Sequence, residues 1–238
     1  ITTMIISIPS VIILSSLFLS LWGGSIRFNT PMLFALSFLP MFGIGGLTGL
    51  PLGLATADIH LHDTYYVIGH FHYVVAPGTI FAIFAGIYFW FPKITGKTMN
   101  EILGKIHFYG SFVCMNGIFM PMFLQGLSGL SRRMANGGYD YAHAKDVLYL
   151  NEIMSISAFA LFVFQLFFIF NFFWTIFRKK YETEADTNPW KATTIEWTET
   201  TSPPLGHGNF EVIPKVYRGP YEYSVEGHSK DYYPQTEE

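Results

Sequence analysis

The stretch GHFHYVV, residues 69–75, puts two imidazoles two positions apart in a segment that carries no charge. Neutral imidazole ligates transition metals and haem iron through one ring nitrogen. On a strand, His70 and His72 would point the same way and could grip one metal. On a helix, two steps turn the side chain by about 200°, so the rings leave on opposite faces. A single zinc or copper site on a helix wants i, i+4 spacing instead. Opposite faces suit two separate haems, each taking one axial histidine. The plainer alternative for each ring is a hydrogen bond to a neighbouring helix, although ionisable groups inside a membrane are usually functional.

Two further groups could do chemistry. In HLHD, residues 60–63, His62 and Asp63 offer a nitrogen and a carboxylate oxygen, a mixed set suited to a hard or borderline divalent ion. A solvated loop is the other reading. Asp58 lies just upstream. Arg132 and Arg133 mark a helix end, or present guanidinium forks to carboxylates such as haem propionates.

These groups need elements to hold them. Five uncharged apolar stretches, roughly 1–22, 31–55, 65–92, 106–128 and 153–177, are long enough to cross a bilayer, which takes roughly 20 helical residues. Only helices or closed barrels satisfy the backbone in lipid, and the alternation of a barrel strand is absent. The segment 65–92 is therefore expected to be a helix, with His70 and His72 on opposite faces. The second stretch contains MFGIGGLTGLPLGL, and small residues let membrane helices approach closely. Arg27, Lys93, Lys97 and Arg178–Lys180 fall on one side in a five-span count, which the positive-inside rule assigns to the cytoplasm or matrix. The other side then receives Asp58, His60, His62, Asp63, Arg132 and Arg133 together.

Composition agrees with a membrane class. Half of the 238 residues are hydrophobic, mean hydropathy is +0.33, and 13% are charged; soluble domains carry about 25%. Charge is segregated. From Tyr181 onward there are 11 acidic and four basic residues, against six acidic and ten basic before it. The expected organisation is an apolar bundle over 1–180 and a polar, acidic inner-side tail over 181–238. Trp190, Trp197, Tyr217, Tyr221 and Tyr223 favour an extended tail docked on the inner surface of a larger assembly. The lone Cys114 excludes an internal disulfide and a cysteine-based metal site, and is expected in the core. The chain opens at Ile1 directly in an apolar run with no basic flank, which is not a signal peptide and reads as a piece of a longer or split protein. The only basic run is three residues at a membrane edge, so nucleic acid is not an expected partner.

The run LHDTYYVIGHFHYVVAPGTIFAIFAGIYFWFP, followed by KIHF and LQGLSGLSRR and preceded by FGIGGLTG, strongly resembles subunit I of the haem–copper terminal oxidases, the cytochrome c oxidase family. The resemblance covers residues 1 to about 200 and points to the C-terminal portion of that subunit. It implies an all-α polytopic membrane bundle, the last five of the family's twelve transmembrane helices plus an extended C-terminal tail. By that resemblance His70 matches the axial ligand of the high-spin haem where oxygen is reduced. His72 matches an axial ligand of the low-spin haem. His62 and Asp63 match ligands of a magnesium site. Asp58, Arg132 and Arg133 match positions near the haem propionates, while His60 stands where the family has an apolar residue and is given no role.

The implied cofactors are two a-type haems, magnesium, and a copper whose ligands belong to helices outside this chain. The implied partners are the N-terminal part of subunit I, subunits II and III, lipid, and cytochrome c or quinol acting through other subunits. The implied activity is oxygen reduction to water, coupled to proton uptake and pumping. A quinol oxidase is the close alternative; a nitric oxide reductase is not expected to keep HLHD and SRR in this form. From a different class, a non-redox histidine-lined transporter would show paired interior charges or matching discontinuous helices, which are absent. One departure stands out: the family's proton-channel lysine in the first span falls on Ile13, with Ser10 one turn earlier where a threonine is usual. The tail NPWKATTIEWTETTSPPLGHGNF looks more like bacterial than mitochondrial versions, which implies a bacterial inner membrane ahead of a mitochondrial one.

Overall fold

The computed structural model describes residues 2–24, 26–178, 186–204, 210, 212–219, 222, 226–227, 229 and 233–238. Ile1, Lys179, Lys180, Tyr221 and Tyr223, named above, lie outside the described residues. The helices are α1 (Thr2–Ile5), α2 (Ser7–Leu21), α3 (Thr30–Gly53), α4 (Ala55–Leu61), α5 (Tyr65–Val75), α6 (Ala82–Thr95), α7 (Glu101–Leu127), α8 (Leu150–Phe177) and α9 (Ile195–Thr198), with a 3₁₀ turn at Ala142–Val147. Among the described residues there is no strand beyond an isolated bridge. The segments Thr2–Leu21, Thr30–Gly53, Tyr65–Thr95, Glu101–Leu127 and Leu150–Phe177 are each long and apolar enough to cross a membrane. The fold is thus all-α with five candidate transmembrane helices, close to the spans expected.

The third span is not one regular helix. Between α5 and α6 it widens into a π-helical turn, Ala76–Phe81, that contains Pro77. A proline has no N–H to donate and its ring crowds the preceding turn, so the ladder adjusts locally there. Pro40, Pro51, Pro92 and Pro121 sit inside other helices, as membrane spans tolerate when neighbours satisfy the freed carbonyls.

The chain divides into two compact units, Ile1–Gly86 with Glu101–Ile169, and Ile87–Asn100 with Phe170–Glu238. In the first, α5 lies against both α3 and α7. Glycines make this approach possible. A Cβ on Gly45 of α3 would fall 2.9 Å from the Val74 nitrogen, and one on Gly126 of α7 would run into the Tyr66 backbone nitrogen. At the opposite end, the Glu101 carboxylate accepts from the Thr30 backbone at 2.8 Å and its hydroxyl at 3.0 Å, pinning the start of α3 to the start of α7. The Asn29 side chain completes that cap by accepting from Met32 at 3.2 Å. Phe34 is fully buried among Phe81, Phe84, Phe108 and the His107 ring. His107 in turn shares Gln165 of α8 with Ser111, at 3.1 and 2.8 Å, which is the polar glue expected between helices in lipid. Cys114 is buried on α7.

The second unit docks the described part of the tail. Trp197 is buried edge-on against Phe89 at 5.2 Å, and Trp190 donates to the Phe89 carbonyl at 2.9 Å. The Lys93 ammonium lies 4.7 Å from the Trp197 ring centre and donates to the Thr200 carbonyl, the Thr200 hydroxyl and the Thr201 carbonyl at 3.2, 2.8 and 3.3 Å. The described part of the tail therefore packs on the end of α6. Lys97 caps the end of α8 through the Ile176 and Arg178 carbonyls at 2.6 and 2.5 Å.

Candidate functional site

Thr64 caps α5, its side chain accepting from Tyr66 at 3.3 Å, and both histidines follow on regular helix. His70 faces α3. Its Nδ1 lies 2.8 Å from the Gly45 carbonyl and 3.3 Å from the Thr48 hydroxyl, and its Cε1 is 2.7 Å from where a Cβ on Gly49 would be. His72 faces α7. Its ring stacks on Phe119 with centroids 4.4 Å apart, and its Nδ1 lies 2.8 Å from the Ile68 carbonyl of its own helix. A carbonyl oxygen can only accept, so each Nδ1 is the donor, and in the neutral ring Nε2 is left with the lone pair. This is the arrangement in which imidazole ligates a metal with its second nitrogen held by the protein. Tyr73 donates to the Asn116 side chain at 2.7 Å and fixes the rotation of α5 between its neighbours.

The outer cluster is built differently. The connector before α5 and the connector after α7 meet as a short two-stranded pairing, Thr64 opposite Ser131. Tyr65 donates to the Leu130 carbonyl at 3.0 Å and Arg132 to the Asp63 carbonyl at 2.9 Å. Arg132 also forks onto Asp63 Oδ1 from Nε and Nη2 at 2.8 and 2.6 Å. The other oxygen, Oδ2, lies 3.3 Å from His62 Nε2, and Asp58 Oδ2 lies 4.0 Å from His62 Nδ1. Asp63 and Arg133 both adopt left-handed backbone, φ 55° and 67°, which is uncommon outside glycine and concentrates at functional positions. The Arg132 hydrogen bonds hold the Asp63 carboxyl below its usual range, with the charges of His62 and Arg133 assisting. The structure thus brings His62, Asp63, Asp58, Arg132 and Arg133 to one end of the first unit. His60 is exposed on α4 and outside these contacts.

Residues 1–160 match the family described as cytochrome c and quinol oxidase polypeptide I. The chain belongs to this family. It is 45% identical over 225 residues to cytochrome c oxidase subunit 1 of Synechocystis, which is 94% of this chain and 39% of that protein. It is 41% identical over 237 residues to the alternative cytochrome c oxidase subunit 1 of Bradyrhizobium diazoefficiens, 99% of this chain and 39% of that protein. Against subunit 1 of Cereibacter sphaeroides the identity is 44% over 215 residues, 90% and 36% of the two chains. The chain thus spans about two fifths of the length of these relatives, as a C-terminal portion of oxidase subunit I. A solved heme-copper terminal oxidase dimer shares the fold, with a TM-score of 0.57 over 66% of this chain and 28% of that one, at 20% identity.

Within the oxidase subunit I frame, the residues present fit the family's groups to different degrees. Each α5 histidine has its Nδ1 held by a backbone carbonyl, which in the neutral ring leaves Nε2 for an axial bond. For a divalent ion this chain supplies two donors side by side, His62 Nε2 and Asp63 Oδ2. Among the described residues no cluster of three histidine, cysteine or carboxylate side chains could hold a metal by itself. Several supporting residues escaped sequence reasoning: Thr48 and the Gly45 carbonyl behind His70, Phe119 behind His72, and Asn116 on Tyr73. Their partners lie 22 to 47 positions away, so no local pattern announces them. In the first span, Ile13 is exposed and the Ser10 hydroxyl is bonded to the Ile6 carbonyl at 3.0 Å.

Proposed function

We propose that this chain forms the haem-binding C-terminal portion of subunit I of a proton-translocating cytochrome c oxidase in a bacterial inner membrane. The observation that carries it is α5, a single helix that turns His70 toward α3 and His72 toward α7 with both Nδ1 atoms tied to backbone carbonyls. His70 would be the axial ligand of the high-spin haem, and His72 an axial ligand of the low-spin haem. When bound, the two haems, which we take as a-type, would supply electron transfer and oxygen reduction together with a copper held outside this chain. The protein's part is placement. Because both ligands stand on one rigid helix, the spacing between the two centres is set by two residues of helical backbone. The Gly45 carbonyl holds the His70 ring through Nδ1, and the Phe119 ring holds the His72 plane.

At the outer end, Arg132 and Arg133, with Asp58 beside them, would compensate the haem propionates. His62 and Asp63 would contribute two ligands to a magnesium ion whose remaining ligands come from water or another subunit. These two atoms lie 3.3 Å apart, close enough to share one ion. No ionisable residue occurs in residues 2–21, so proton uptake would run by another route. The relatives' names favour cytochrome c over quinol as donor, reached through subunit II. Subunit III and the N-terminal part of subunit I complete the assembly.

The test is optical, on the whole oxidase complex. His72→Ala should abolish the low-spin haem band and halt electron entry, while His70→Ala should disturb ligand binding at the high-spin haem and leave the low-spin band. Both bands surviving in either variant would overturn the assignment.

A further inference from the structure

We propose that Gln125 and Asn151 are positioning residues for the double-arginine turn, Arg132–Arg133; this rests on the reading of those arginines as propionate partners. The turn belongs to a long connector, 128–149, whose only regular element is the 3₁₀ turn at Ala142–Val147. Connectors of this length without much structure of their own are uncommon and usually functional.

At its start, α7 ends in a Schellman cap. Leu130 donates to the Gln125 carbonyl at 3.0 Å and Gly129, at φ 78°, belongs to the same turn by donating to Gly126 at 3.0 Å. Leu130 is fully buried, and the chain passes directly into Ser131, Arg132 and Arg133. The Gln125 side chain, also fully buried, then crosses to the far end of the connector. Its Nε2 donates to the Val147 carbonyl at 3.2 Å and to Asn151 Oδ1 at 2.8 Å. The Val147 carbonyl can only accept, so Nε2 faces it, and Oε1 is left buried without a partner. Asn151, in the first turn of α8, donates in turn to the Gly137 carbonyl in the middle of the connector at 3.2 Å.

The two side-chain amides therefore tie the middle and end of the connector to the ends of α7 and α8, while the Gln125 backbone carbonyl holds its beginning. The arginine turn is also paired with Asp63 and Thr64 on the α5 side, and His143 Nε2 lies 3.4 Å from the Gly129 carbonyl just before it. With Arg133 in a left-handed conformation, the turn does not hold its shape by local preference. The Gln125–Asn151 clasp adds an anchor on the α7 and α8 side, and through it the connector holds the arginine turn in place.

The experiment uses the intact oxidase complex with Gln125→Leu, Gln125→Leu combined with Asn151→Leu, and Arg133→Gln as reference. Hydrogen exchange at the Arg132 and Leu148 amides reports the clasp, and redox titration of the two haems reports the arginines. Gln125→Leu should speed that exchange about tenfold, as expected when a hydrogen bond of ordinary net worth is lost from a locally opening segment. It should also shift the haem potentials in the direction of Arg133→Gln, by a smaller amount. Unchanged exchange overturns the clasp. Faster exchange with unmoved potentials, while Arg133→Gln moves them, overturns the positioning role and leaves a structural one. If Arg133→Gln itself moves neither potential, the propionate reading fails, and the exchange alone decides whether the clasp exists.

Discussion

The two histidines of α5 and the Asp63–Arg132 cluster are both candidate sites of one unit, yet they are held by opposite means. His70 and His72 are placed by a helix: their Nδ1 atoms bond backbone carbonyls, and their rings lie against α3 and α7. Asp63 and Arg132 hold each other across two connectors, through exposed charge and a short backbone pairing. The interior site depends on packing, which is stiff and weakly sensitive to solvent. The outer site depends on electrostatics and on strained backbone, which respond to pH, salt and bound ions. One region can be rigid in spacing while the other adjusts.

The largest effect should come from breaking the packing. Gly126→Ala would drive a methyl into the Tyr66 backbone nitrogen and Cα, atoms of α5 that cannot turn aside. Overpacking of this kind costs about 1–3 kcal/mol and occasionally more. The α5–α7 contact should open and haem per assembled complex should fall, with both bands reduced. Full haem content at wild-type thermal stability would show that the interior site is not defined by this contact.

A narrower change should separate the two faces of α5. Gly49→Ala places its methyl 2.7 Å from His70 Cε1 and against the other ring atoms at 3.4 Å or more. His72, on the other side, is untouched. The high-spin band and its ligand-binding rate should change while the low-spin band stays at its wild-type position. A shift of the low-spin band alone would contradict the division of the helix into a His70 face and a His72 face.

The contrast between the regions also explains what could be read from sequence. The five spans follow from apolar length, and the divergence of His70 and His72 follows from helical period, both local properties. Gly45 and Gly49 were visible as a small-residue stretch, though not as the clearance for Val74 and His70 in particular. The outer residues were visible as types, whereas the Arg132 fork onto Asp63 joins positions 69 apart and needed the fold. The π turn at Pro77 and the left-handed Asp63 and Arg133 are backbone adjustments to tertiary packing, with no signature in residue type. The aromatic residues of the tail pointed to docking, whereas the particular contacts of Trp197 with Phe89 and Lys93, more than 100 positions away, needed the fold.

The smallest effect, and the one that sharpens the contrast most, concerns acid. Arg132 holds the Asp63 carboxyl below its ordinary value. A carboxyl whose native value is depressed contributes to stability above its unfolded value, and that contribution is lost as pH falls through the depressed one. The connector pairing should therefore be independent of pH from neutrality down to the ordinary carboxylate range, and should loosen only below it. Raising salt should loosen it as well, because the pair is exposed. Asp63→Asn should abolish both dependences and weaken binding of Mn²⁺, used as a spectroscopic stand-in for magnesium, while both haem bands stay unchanged. The readout is hydrogen exchange at the Arg132 amide across pH and salt, beside the Mn²⁺ resonance signal. If exchange in the wild type rises already near neutral pH, a group other than Asp63 controls the pairing. Haem bands that moved in step with it would mean that the two regions are not held independently.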